Sequence, residues 1–200
     1  MSNFLEIANK RRTQYMIGGE ANHSIEEIAA ELAKVITASP SAFNSQTTRL
    51  VIVSEAANQK VWEIIDGTQK EILDEGMYNY FKGVFETAKN AVGTVLFFED
   101  RQALEEEVTT TPERRELYKE QNATMAEYAA WLRLAELGYG ANLQHFNIGF
   151  QQGFDRSIKE ALDVPDHWEL NAQMPFGPVI EPAQDLEKLS HEEQVRIIKD

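Results

Sequence analysis

Apolar residues recur at helical spacing through Ile25, Ile28, Ala29, Leu32, Val35 and Ile36. That rhythm puts one apolar stripe on a helix and leaves its other side polar. Ser24 and Glu27 stand at capping-box spacing before the run, and Pro40 closes it. A different pattern occupies Arg49 to Ser54 and Gly93 to Phe98, which are short, nearly continuous runs of β-branched, aliphatic and aromatic residues. Such runs predict strands covered on both faces and central in a sheet. Between them, Val61, Trp62, Ile64, Ile65 and Ile72 keep a helical rhythm over Ala56 to Leu73, with Gly67 as its weak point. Thr111 and Pro112 read as the N-cap and first residue of a long helix, and Gly138, about seven turns later, as its C′ residue. In its second half Met125, Ala126, Tyr128, Ala129, Ala130, Trp131, Leu132, Leu134 and Ala135 occupy nearly the whole circumference, so this half is expected to be buried on all sides. A third strand is predicted from Trp168 to Met174, with Pro178 and Pro182 making the following segment extended. No repeat, low-complexity tract or linker divides the chain, so residues 1–200 read as a single domain.

Composition narrows the function. A chain of 200 residues buries roughly 70% of the surface its unfolded form exposes, and 42% hydrophobic against 26% charged residues places it among ordinary folded, soluble proteins. The 33 acidic residues outweigh 19 basic ones for a formal net charge of -14, which repels phosphate backbones and anionic membranes and argues against nucleic acid or a membrane as partner. With no cysteine, thiolate catalysis, disulfides and Cys-ligated zinc are excluded. His23, His145, His167 and His191 are scattered without metal-ligand spacing, so no metal site is expected. No basic-then-apolar leader opens the chain and no run approaches ~18 apolar residues, so a cytoplasmic location is expected.

Three stretches could carry chemistry. Arg11-Arg12-Thr13-Gln14-Tyr15 sets two guanidinium forks beside a hydroxyl, an anion site in an otherwise acidic chain, although an isolated Arg pair also reads as a solvated surface pair. Ser39-Pro40-Ser41-Ala42-Phe43-Asn44-Ser45-Gln46 gathers hydroxyls and amides between a helix and a strand. It suits a polyol or heteroaromatic edge, and on composition alone fits an ordinary helix-to-strand loop equally well. In Leu137 to Asn147, Gly138 and Gly140 hint at a dinucleotide loop, but Leu143 stands where a third glycine belongs and a helix precedes them, so a Rossmann loop is rejected. What remains is a helix stop followed by a turn with main-chain N–H groups available to a ligand, or a plain C-cap.

Taken together and in this order, Arg-Arg-Thr-x-Tyr, Pro-Ser-x-x-Asn-Ser-Gln and Leu-Gly-x-Gly-Ala-x-Leu-Gln-His resemble the FMN-dependent nitroreductase family, in its compact branch of about 200 residues. The resemblance runs from Arg11 to about Gly177. It implies an α+β fold with a small central sheet wrapped by helices, in an intertwined homodimer. It further implies that Arg11, Arg12 and Thr13 hold the FMN phosphate and adjoining polar edge, with Tyr15 toward the pyrimidine side of the ring. Ser41, Phe43, Asn44 and Gln46 would line the flavin from the other subunit, and the backbone at Leu143, Gln144 and His145 would lie against the ring with one N–H directed at N5. Hydride would pass from NADH or NADPH to the flavin, then to a small-molecule acceptor such as a nitroaromatic or quinone. Two features depart from better-known members: Gly83 to Thr87 lacks their Asn and Lys pair, and the C-terminus lacks their Lys-x-Arg clamp, leaving Arg196 as the candidate phosphate ligand. Kept beside this reading are an FMN-binding module with a structural or sensing role and a helical interaction protein.

Overall fold

The protein is described by a computed structural model covering residues 4–199. Helix α1 spans Phe4–Lys10 and α2 spans Ile25–Ala38. The predicted capping box at the start of α2 is present: Ser24 Oγ accepts from the Glu27 N–H, and the Glu27 carboxylate accepts from the Ser24 N–H. Two helix-terminal donors are satisfied at once. After Pro40 a short 3-10 turn at Ala42–Asn44 leads into β1, Thr48–Ser54, and directly into α3, Glu55–Ile72. Gly67 does not break α3, because it lies on the exposed side, where even an added Cβ would meet nothing within 4 Å.

Helix α4, Glu75–Lys89, is absent from the sequence-based expectations. Asp74 caps it by accepting from the Met77 N–H, and it buries Phe85 and Ala88 while Tyr78 and Phe81 pack partly buried beside them. Tyr80 stays exposed. Strand β2, Gly93–Asp100, then runs into α5, Arg101–Glu107. A 3-10 turn at Pro112–Arg114 precedes the long helix α6, Arg115–Glu136, so the regular helix begins later than the Thr111-Pro112 signal indicates, and Thr111 makes no side-chain cap. The remaining elements are β3, Gly140–Ala141; α7, Arg156–Leu162; β4, Trp168–Gly177; and α8, His191–Gln194.

The four strands form one antiparallel sheet in the order β1-β2-β4-β3. The fold is α+β, with helices on both faces of this sheet. Along β2 successive side chains alternate between two cores: Val95 and Phe97 join Ile28, Leu32, Ala130 and Leu134 from α2 and α6, while Leu96 and Phe98 join Val61, Trp62, Ile65 and Phe85 from α3 and α4. Period-2 alternation explains why β2 is apolar throughout and fully buried. Strand β1, expected to be central, is instead an edge strand and only partly buried over most of its length. A bulge at Asn171 shifts the β2–β4 register between Phe97 and Phe98 and turns Asn171 toward α6, where it donates to Glu127 at 2.9 Å.

The expectation for α6 is also corrected. Ala126, Ala130 and Leu134 are buried, but Tyr128 is 43% exposed and Met125, Ala129 and Leu132 are only partly covered. One chain covers one side of this helix and leaves an apolar side open.

Candidate functional site

The first and third stretches meet across 128 residues of sequence. Thr13 and Ala141 form a parallel bridge, the Gln14 N–H donates to the Ala141 carbonyl at 2.9 Å, and Asn142 Nδ2 donates to the Gln14 carbonyl at 2.8 Å. Gly140 permits this approach, since a Cβ there would lie 2.9 Å from Gln14 Cβ and 2.6 Å from Val179 Cγ2. Gly138 ends α6 with φ +94°. Its N–H donates to the Ala135 carbonyl, and the Tyr139 N–H donates to the Leu134 carbonyl, the bond pair of a Schellman motif.

A cleft of about 250 Å³ opens at this junction, with Arg11, Arg12, Gln14, Trp131 and Gly140 in its wall. The Arg11 guanidinium lies over the Trp131 ring, 4.4 Å from its centroid, and its buried Nε has no hydrogen-bond partner. An unsatisfied buried donor of this kind is rare and costly, so it marks a place where an acceptor belongs. Arg12 is committed differently: it pairs with Asp185 at 2.9 Å and donates to the Gln184 carbonyl, tying the C-terminal segment down. Tyr15 is exposed just beyond the bridge. Past Gly140 the backbone runs beside β4, with Gln144 and Gln173 exchanging N–H···O bonds at 2.8 and 2.9 Å, while the Gln173 side chain both accepts from the Phe146 N–H and donates to its carbonyl. These bonds engage Gln144 and Phe146, and the alternating N–H groups of Leu143 and His145 have no acceptor among the described residues. Leu143 packs on the core below, and His145 is exposed.

The second stretch lies along the same helix farther toward its start. Asn122 stands beside it and Trp131 beside the first stretch, so about 14 Å of helix axis separates the two supports. Phe43, Asn44 and Gln46 all have left-handed backbone, with φ of 57°, 54° and 45°. Such conformations cost non-glycine residues about 1–3 kcal/mol each and concentrate at ligand clamps and switches. The side chains of Phe43, Asn44 and Gln46 are exposed, and Ser41, Gln46, Arg49 and Asn122 help line a second cleft. The loop is braced from behind. Asn122 Oδ1 accepts from the Ala42 N–H at 2.9 Å, its Nδ2 donates to Ser45 Oγ and Thr47 Oγ1, and the Thr47 and Thr48 hydroxyls donate to Glu99 at 2.6 and 2.5 Å. Arg196, in the exposed segment after α8, lines neither cleft.

Burial dominates the electrostatics under the loop. It pushes the Glu99 carboxyl up to about 7, against the opposing hydrogen bonds from Thr47 and Thr48 and the charge of Lys119. Burial also raises Glu127, opposed by the Asn171 hydrogen bond and by His145. Asn122, Glu99, Glu127 and Gln173 escape a motif reading, although a buried Asn inside a long helix is a detectable anomaly, since Asn is a poor mid-helix residue.

The description "Nitroreductase family" matches residues 22–178, most of the chain. The chain belongs to the nitroreductase family. Among its relatives, the nitroreductase FRM2 of Saccharomyces cerevisiae is 26% identical over 182 residues, covering 88% of this chain and 87% of FRM2. The nitroreductase CinD from Lactococcus lactis, solved in complex with chloramphenicol, superposes with a TM-score of 0.84 at 28% identity, covering 98% of this chain and all of CinD. A BluB-like flavoprotein from Clostridium difficile shares the fold at 20% identity and a TM-score of 0.75, over the full length of both chains. The protein is thus an oxidoreductase of the nitroreductase type. Its Pro-Ser-x-x-Asn-Ser-Gln and Leu-Gly-x-Gly-Ala motifs fall within the matched region, while Arg11 to Tyr15 precede it.

Proposed function

We propose that this nitroreductase-family chain acts as a single flavin-binding domain, works as a homodimer, and binds FMN between its subunits. When bound, FMN would supply the redox chemistry, a hydride-accepting N5 that links NADH or NADPH to a nitroaromatic or quinone-type acceptor in a ping-pong cycle. The protein's part is to bind, orient and shield. The observation that carries the reading is the buried, unpartnered Nε of Arg11 in the wall of a cleft, which fits a phosphate oxygen in charge and hydrogen-bonding character. Arg12 and Thr13 stand beside it, with Arg12 already holding the C-terminal segment. The open N–H groups of Leu143 and His145 supply donors for the polar edge of the ring, with Gln144 locked to β4 between them.

Support for the dimer comes from the open apolar side of α6 around Met125, Tyr128 and Leu132. It also comes from the position of the second stretch, whose exposed Phe43, Asn44 and Gln46 extend from a different cleft than Arg11 and would serve the partner's flavin. CinD, a relative of the same length class, is described with chloramphenicol bound, which agrees with an aromatic acceptor. The described residues contain no helix long and apolar enough to cross a membrane; a cytoplasmic location is part of the same proposal.

The test is an absorption spectrum of the purified protein before and after added FMN, followed by NAD(P)H oxidation with a quinone. Bands of bound flavin at about one FMN per chain, with turnover, are expected. A colourless protein that fails to take up FMN overturns the reading, and a yellow protein without turnover makes it a flavin-binding module instead.

A further inference from the structure

The loop from Ser41 to Gln46 holds three left-handed, non-glycine residues within four positions, a conformation that its own local preferences oppose. Something outside the loop has to hold it. The hydrogen-bond directions identify what does. The Ala42 backbone N–H can only donate, so the Asn122 side-chain atom that faces it is the carbonyl oxygen Oδ1, whatever the protonation of Glu99. That assigns Oδ1 to the Ala42 N–H at 2.9 Å and leaves the Asn122 NH2 to donate to Thr47 and Ser45, at 3.0 and 3.1 Å. Asn122 is 2% exposed, and both its N–H bonds are spent inside the protein.

We propose that Asn122 is a positioning residue of the flavin site. From α6 it clamps both ends of the 3-10 turn and so aims Ser41, Phe43, Asn44 and Gln46 at the ligand without touching it. The proposal rests on the flavin reading for the identity of that ligand. The clamp itself stands on the hydrogen bonds alone.

A matched control exists in the same molecule. Asn58 is 1% exposed and also makes three side-chain hydrogen bonds, two to the carbonyls of Ala88 and Lys89 and one from Thr94, but these brace the other core. The experiment compares Asn122→Ala, Asn58→Ala and wild type by amide hydrogen exchange without flavin, and by titration with FMN and riboflavin. The informative amides are Asn44, Ser45 and Gln46, which bond to Ser41 and Ala42 inside the loop and not to Asn122. Asn122→Ala should speed their exchange about tenfold or more and weaken FMN and riboflavin by one common factor of about 10 to 100. Asn58→Ala should leave loop exchange and both affinities at wild-type values even if it lowers stability as much. If Asn122→Ala does not fold, Ser45→Ala, which removes one of the three bonds, should show the same pattern at about two- to tenfold.

Unchanged loop exchange, or an equal effect from Asn58→Ala, overturns the proposal. Faster loop exchange with unchanged affinity for both flavins overturns it too, because the loop would then not be serving the ligand. Failure of the wild type to bind either flavin instead refutes the flavin reading. Loop exchange then still decides whether Asn122 is the clamp.

Discussion

Replacing Glu99 by Gln tests whether a buried carboxyl governs the pH dependence of folding. Glu99 is fully buried beneath the loop and its pKa is pushed up from the ordinary 4.5 to about 7, first by burial. A carboxyl with a raised folded-state value keeps its proton in the native state after the unfolded chain has lost it. Its contribution to stability is therefore complete below pH 4.5 and lost as pH rises toward 7. The full span is about 3 kcal/mol at 1.36 kcal/mol per pH unit, and about 2.5 kcal/mol of it falls between pH 5 and 8.5. Gln has the same shape and no charge. It can accept from Thr47 and donate to Thr48, whose hydroxyl turns to receive it. Urea unfolding of wild type and Glu99→Gln, at one protein concentration, should show the variant gaining about 2.5 kcal/mol relative to wild type between pH 5 and 8.5. Glu127, also raised by burial, titrates in both proteins and cancels to first order. A difference between the two proteins that stays constant within about 0.5 kcal/mol across this range would refute the reasoning, since that is the ordinary scatter of additivity.

Three further outcomes are expected. Arg11→Ala should weaken FMN about 10- to 150-fold while leaving riboflavin, which lacks the phosphate, nearly unchanged, as titration of both ligands would show; equal losses would mean that Arg11 serves the structure through Trp131. Sedimentation should find a dimer that buries more than ~2,000 Å² in total, closing over the open side of α6, and a monomer that binds FMN tightly would contradict this. Initial rates against NAD(P)H at several quinone concentrations should form parallel lines, whereas intersecting lines would indicate a ternary complex and not successive use of one site.

Local pattern by itself determined much of this protein. The capping box at Ser24 and Glu27, the Schellman stop at Gly138 and the nearly continuous apolar run of β2 follow from backbone donors, left-handed tolerance and side-chain period, which are properties of neighbours in sequence. The order of three short motifs was enough to indicate the family. Helix α4 was less legible, because the burial of its Phe81 and Phe85 depends on contacts with Trp62 and Phe146, which lie in other parts of the chain. Only the tertiary structure decided that Arg49 to Ser54 is an edge strand, since an apolar run does not specify how many neighbours pair with it. Only it decided that Arg12 holds the C-terminal segment while Arg11 keeps an unspent donor, because two adjacent arginines are equivalent until their partners, over 100 residues away, are in place. The same holds for Asn122 and Glu99, whose roles arise from hydrogen bonds spanning about 50 to 80 residues of sequence. Periodicity reports which face of an element is buried, whereas a hydrogen-bond partner is fixed by where distant elements come to rest.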